Sequence, residues 1–168
     1  STFKIEPPDW RRLTELAAAL RPSFGAFLES FEVGPTIRRI QLEEELESEL
    51  AAKLSLLKPF GYHLKLFVDE RGTTGRQYVC SGLGGRIDLL CHDSKRDILV
   101  VIELKNVRAD HATFGQISAY IGWVKQRLAA GRTVEGLVIS RSFDKRFEFS
   151  LPTNSLVKHL ELEQLGFE

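Results

Sequence analysis

The chain has little of what marks a secreted, membrane-spanning or zinc-stapled protein. Only two of its 168 residues are cysteine, Cys80 and Cys91. They are isolated, so neither a disulfide framework nor a Cys-based zinc site is expected. Both read as small hydrophobes buried on strands. No apolar run approaches the ~20 residues that a membrane-spanning helix needs. Residues 1–10 lack the basic-then-apolar order of a signal peptide, and a reducing, cytoplasmic setting without a membrane partner is the expectation. Net charge is also missing: 23 Lys and Arg balance 23 Asp and Glu. That excludes a protein that coats nucleic acid through bulk charge, but leaves room for a negative pocket inside a basic rim. His63, His92, His111 and His159 show no pairwise metal-ligand spacing. Gly82, Gly84 and Gly85 are followed by no Gly-Lys-Ser/Thr and lead into a strand, so they do not form a phosphate loop.

What is present reads as one domain with a proper core. Residues 9–21 carry apolar side chains at helical spacing, 23–36 add Phe24, Phe27, Leu28 and Phe31 before a Gly34-Pro35 turn, and 1–36 together form an expected N-terminal helical extension. The main domain, 37–168, opens on the clearest helix, 37–58. There Leu42, Leu46, Leu50, Leu54 and Leu57 make one stripe among glutamates. Residues 62–68 and 78–81 alternate as strands, joined by a flexible basic loop at 71–76. Residues 86–92 and 98–105 read as the two arms of a hairpin. The continuous apolar run 98–102 marks a strand buried on both faces. A second long helix is expected at 111–130, a strand at 134–140, a short helix within 143–151 and an edge strand at 156–162. The order α-β-β-β-α-β-α-β implies a mixed α/β fold, helices on a central mixed sheet.

Three charged residues interrupt this buried sheet. Asp88 lies in Gly85-Arg86-Ile87-Asp88-Leu89-Leu90, and Glu103 and Lys105 lie in Val101-Ile102-Glu103-Leu104-Lys105. Burying charge is costly unless it is paired or holds a metal. Glu103 and Lys105, two apart in a strand, project from one face. A turn centred on 94–96 brings Asp88 opposite Glu103 or one diagonal away. Two carboxylates converging with an ammonium suit a hard divalent cation, with the Leu104 carbonyl as a further oxygen. The competing explanation is a structural ion-pair cluster at the sheet end.

These two segments resemble the core of the PD-(D/E)xK nuclease superfamily. The likeness is closest to the catalytic domain of NucS-type (EndoMS) endonucleases and covers about residues 40–141. In that family a Gln-x-x-x-Tyr follows on the next helix, and this chain has Gln116-Ile117-Ser118-Ala119-Tyr120. The resemblance implies a restriction-endonuclease-like fold and a Mg²⁺- or Mn²⁺-dependent DNA endonuclease. Asp88 and Glu103 are the implied metal ligands, Lys105 the catalytic lysine, and Gln116 and Tyr120 the supporting residues. It also implies a carboxylate on the helix before the sheet, for which Glu45 and Glu49 compete and Glu49 is favoured. Gln116 and Tyr120 are i,i+4 and share one helix face. DNA is the implied partner, and a homodimer would supply two sites for double-strand cutting. Residues 1–36 are too short for the family's separate N-terminal β domain, so the likeness does not carry the choice of DNA structure. Repair, restriction and phage defence are the settings it suggests. The alternative is a catalytically inactive nucleic-acid-binding or oligomerising module of the same fold.

Overall fold

The computed structural model describes residues 35–167. The helix expected at 9–21, and with it the N-terminal extension, lies outside those residues apart from Pro35, expected in a turn, and Thr36. These two open helix α1, Pro35–Ala52. Proline fits there because the first turn of a helix has no intrahelical use for its N–H. A 3-10 segment, Leu54–Phe60, follows in place of the last turns of the expected helix, and Gly61 closes it in the left-handed conformation.

A six-stranded sheet makes the body of the domain. Its strands are β1 (Leu64–Leu66), β2 (Arg76–Val79), β3 (Arg86–Asp93), β4 (Ile98–Ala109), β5 (Val134–Phe143) and β6 (Val157–Glu161). The order is β1-β3-β4-β5-β6, and β2 also pairs with β3. Four strands precede the second long helix, matching the four strand segments read from the sequence and one more than the order α-β-β-β counts. β3 is antiparallel to β1, β2 and β4, while β4–β5 and β5–β6 are parallel. The sheet is therefore mixed, as expected. Helix α2, His111–Arg127, and the short α3, Lys145–Ser150, complete the fold.

Alternation along β4 explains the two cores. Leu99 and Val101 join one cluster with Ile117, Ile121 and Val124 of α2. Val100, Ile102 and Leu104 join the other with Leu46 and Leu50 of α1. Gly136 on β5 lets α2 come close: a Cβ there would lie 2.8–2.9 Å from Ile121 and Ile117. Cys80 and Cys91 are buried and free, as the sequence implied, but only Cys91 lies on a strand, since β2 ends at Val79.

Two connections differ from expectation. The 71–76 loop is tied rather than flexible. The Asp69 carboxylate accepts from the Arg71 and Thr73 amides at 2.9 and 2.8 Å and from the Tyr78 hydroxyl at 2.9 Å. β4 runs four residues past Lys105, with an irregularity in its pairing to β5 between Lys105 and Arg108. It then passes into α2 through Asp110, whose side chain and Thr113 form a reciprocal cap on the helix.

Candidate active site

The β3–β4 ladder carries the site. Its registered pairs run from Asp93↔Ile98 to Leu89↔Ile102 and stop there. The next position would set Asp88 opposite Glu103, the register expected from the turn. Instead of a backbone carbonyl, the Asp88 carboxylate receives the Leu104 amide, at 2.8 Å to Oδ2. A residue in an extended strand presents its N–H and C=O to the same edge. The Leu104 carbonyl therefore emerges on the Asp88 side.

Glu103 is buried, only 1% exposed. Lys105 Nζ pairs with its Oε1 at 2.8 Å, and its buried Oε2 has no hydrogen-bond partner among the described residues. Burial and the neighbouring Glu103 charge push Asp88 up to about 7, against the Leu104 amide and Lys105, which pull it down. Glu103 is also raised, first by burial and then by Glu43, although Lys105 opposes both. Burial alone would lower the Lys105 ammonium, but Glu103, Asp88 and Glu43 together raise it and keep it charged. Negative charge thus exceeds what Lys105 neutralises.

A cavity of about 360 Å³ opens over this end of the sheet. It is lined by Asp88, Leu104 and Lys105, by Glu43, Glu44, Glu47 and Ser48 of α1, and by Arg76, Gln77 and Arg86. The α1 carboxylates differ from those expected. Glu49 is exposed and pairs with Lys53 at 2.8 Å, and Glu45 is exposed. Glu47 is buried, 4% exposed. Its Oε1 receives Arg76 Nε at 2.6 Å and its Oε2 receives the Gln77 amide. A signal for this existed: Glu43, Glu47 and Leu50 fall at i, i+4 and i+7, on one helix face.

Gln116 and Tyr120 meet each other, Nε2 to the hydroxyl at 3.4 Å, but neither lines the cavity. Tyr120 is buried in the core cluster with Tyr78 and Ile87, and its hydroxyl abuts Gly85. A Cβ at Gly85 would lie 2.6 Å from that oxygen, and Gly85 has a φ of +100°. The Gly82–Gly85 stretch is a closed turn, in which the Cys80 amide bonds the Gly85 carbonyl at 3.2 Å. Trp123 pins it from α2 through the Ser81 carbonyl at 3.1 Å. His92 pairs with Asp97 at the opposite end of the hairpin, as a turn-adjacent histidine, and His111 is the first residue of α2.

Residues 62–164 match the family model for the endonuclease NucS C-terminal domain. A comparison with curated protein sequences gave no match. Among solved structures, the fold is similar to a repair endonuclease from Pyrococcus abyssi. That match has a TM-score of 0.57 and 19% identity, and covers 71% of this chain and 46% of that one. It is also similar to EndoMS in complex with dsDNA, with a TM-score of 0.55 and 21% identity, over 71% of this chain and 44% of that one. The apo form of EndoMS matches with a TM-score of 0.52, 21% identity and the same 71% of this chain, over 46% of its own. The chain spans less than half the length of each of these structures. The likeness at this identity is one of fold.

Proposed function

The chain belongs to the endonuclease NucS C-terminal domain family, and on that premise we propose that it is a divalent-cation-dependent DNA endonuclease of the PD-(D/E)xK type. The observation that carries this reading is the Asp88/Glu103/Lys105 set at the end of the β3–β4 ladder: Asp88 and Lys105 line a cavity with surplus carboxylate, and Glu103 is buried against Lys105. Its partner is DNA, its setting is repair, restriction or phage defence, and two copies would supply two cuts. Among the described residues no helix is long and apolar enough to cross a membrane, and a cytoplasmic location accords with nuclease work.

The donor set fits Mg²⁺ or Mn²⁺. Among the described residues, no group of three or more His, Cys, Asp or Glu has metal-holding geometry. Mg²⁺ usually takes one or two carboxylates plus substrate phosphate and water rather than an all-protein cage. Asp88, Glu103 with its unbonded Oε2, and the Leu104 carbonyl would hold it. When bound, the cation supplies Lewis-acid polarisation of the phosphate and lowers the pKa of water beside it. Lys105, charged and fixed by Glu103, orients the attacking water and stabilises negative charge developing on phosphorus-bound oxygen. Glu47, rather than Glu49, is the carboxylate contributed by the first helix. Gln116 and Tyr120 support the site from behind, through the turn that leads into Arg86 and Asp88.

The test is direct. Purified chain is incubated with plasmid, single-stranded and branched DNA in Mg²⁺ or Mn²⁺. Cleavage is expected, and it is expected to vanish in Asp88→Ala and Lys105→Ala; undiminished cutting by either variant refutes the assignment. Salt-sensitive DNA binding without cleavage under any metal would favour the non-catalytic module.

A further inference from the structure

β2 contains a residue whose backbone is out of character for a strand. Gln77 has a φ of +49°, in the left-handed region that side chains other than glycine seldom adopt. It lies between Arg76, registered with Leu89, and Tyr78, registered with Ile87, while no pair is registered between Gln77 and Asp88. Such outliers persist where the surroundings over-determine them, and they cluster at working sites.

The side chain shows what the departure achieves. The Gln77 amide nitrogen donates to Glu47 Oε2 and reaches Asp88 Oδ1 at 3.4 Å. A primary amide has two N–H donors, so one group can tie two carboxylates. It does so without charge. A Lys or Arg at this position would cancel part of the negative field that a divalent cation needs. Arg76 holds the other side of Glu47 and also donates to Ser48 Oγ at 2.6 Å. Of these two neighbours, only Gln77 has a contact that extends on to Asp88. Asp88 is then fixed twice, by the Leu104 amide on Oδ2 and by Gln77 on Oδ1.

We propose that Gln77 is a positioning residue. Its amide sets the orientation of the Asp88 carboxylate relative to Glu47, and the left-handed backbone of β2 is what delivers it. The proposal rests on the metal-nuclease reading of the same site. Partners that orient metal ligands typically contribute about 10–100-fold to metal affinity or activity.

Gln77→Gly separates the amide from the backbone, because glycine adopts this φ freely. In the full chain, relief of the left-handed backbone offsets the loss of the donor to buried Glu47, so the variant should melt near the wild-type temperature. Its kcat for DNA cleavage should fall about tenfold or more, with KM for DNA unchanged, and Mn²⁺ titrated alone should bind about tenfold more weakly by calorimetry. Gln77→Leu keeps the bulk without the donors and should show the same loss of kcat and Mn²⁺ affinity. A folded Gln77→Gly with wild-type kcat and Mn²⁺ affinity overturns the proposal. So does a loss that merely follows a fall in melting temperature. If the wild-type chain neither cleaves DNA nor binds Mn²⁺, the metal-nuclease reading falls and takes this inference with it. If it does both and Gln77→Gly matches it, only the role of Gln77 falls.

Discussion

Strand β3 carries an aspartate near each end, and the two are treated in opposite ways. Asp93 is fully buried. Its Oδ1 accepts from the Lys95 and Arg96 amides at 3.0 and 3.1 Å, and its Oδ2 from the His63 amide and Arg96 Nε, both at 3.2 Å. Arg96 continues to Glu135 at 3.0 Å. Burial by itself would raise Asp93, but these donors together hold it below the usual carboxylate range. Asp88 is half-buried and is pushed up to about 7, first by burial and then by like charge on Glu103 and Glu47, which the Leu104 amide and Lys105 only partly offset. One end of the hairpin satisfies its carboxylate and anchors the turn. The other leaves carboxylate charge in excess, which costs stability and is the feature on which the proposed cation binding rests.

The largest effect that would sharpen this contrast is catalytic. Asp88→Asn keeps an acceptor for the Leu104 amide but removes a charge, and cleavage in Mg²⁺ should fall by about 10²–10⁴-fold. Single-turnover rates on plasmid DNA measure this, and retained activity would erase the functional half of the comparison. At the other end, Asp93→Ala leaves buried donors and Arg96 without their partner. Unfolding in urea should show a loss of about 3 kcal/mol, with cleavage per folded molecule unchanged.

The pH dependence of stability should run in opposite directions at the two sites. Asp93 has a folded pKa below its ordinary value of 3.8. Its contribution is present above 3.8 and is lost as pH falls through the folded pKa. Asp88 has a folded pKa raised from 3.8 to about 7, so the native state binds the extra proton. Its penalty is absent below 3.8, grows between 3.8 and about 7, and is complete above. Asp88→Asn should therefore stabilise the metal-free protein at pH 8 by an amount on the order of 2 kcal/mol, with no gain at pH 3. Mg²⁺ should recover part of the same stability in the wild type. Equal melting of the two proteins at pH 8 would contradict the crowding of charge at Asp88.

The smallest effect belongs to α1. Glu49→Ala breaks only an exposed pair with Lys53 and should change stability by less than about 0.5 kcal/mol, with cleavage intact. Glu47→Ala, two residues away, should impair cleavage and leave Arg76 and Gln77 without their shared acceptor. Parallel assays of the pair test whether the structure has chosen the right helix carboxylate.

Much of this was legible in the residues themselves. The apolar run of β4 declares a central strand, and the turn after Asp93 fixes the register that sets Asp88 against Glu103. α2 shows itself through Ile117, Ile121 and Val124. The choice between Glu47 and Glu49 depends on the rotation of α1 about its axis, which a glutamate-rich surface hides and packing of Leu46 and Leu50 decides. Arg76 reads only as the end of a basic loop and Gln77 gives no signal, because a four-residue strand with a left-handed residue in it follows no periodicity. The setback of Gln116 and Tyr120 behind the cavity is likewise set by how closely α2 approaches the sheet across Gly136, a tertiary quantity.

The joint between β4 and α2 has a mechanical consequence. Asp110 alone separates Ala109 from His111, and its cap with Thr113 locks the transition. There is no slack there to act as a hinge. What give there is between Lys105 and the Gln116–Tyr120 pair lies upstream, at the pairing irregularity between Lys105 and Arg108, while across the cavity Arg76 and Gln77 of β2 tie Glu47 and Ser48 of the first helix.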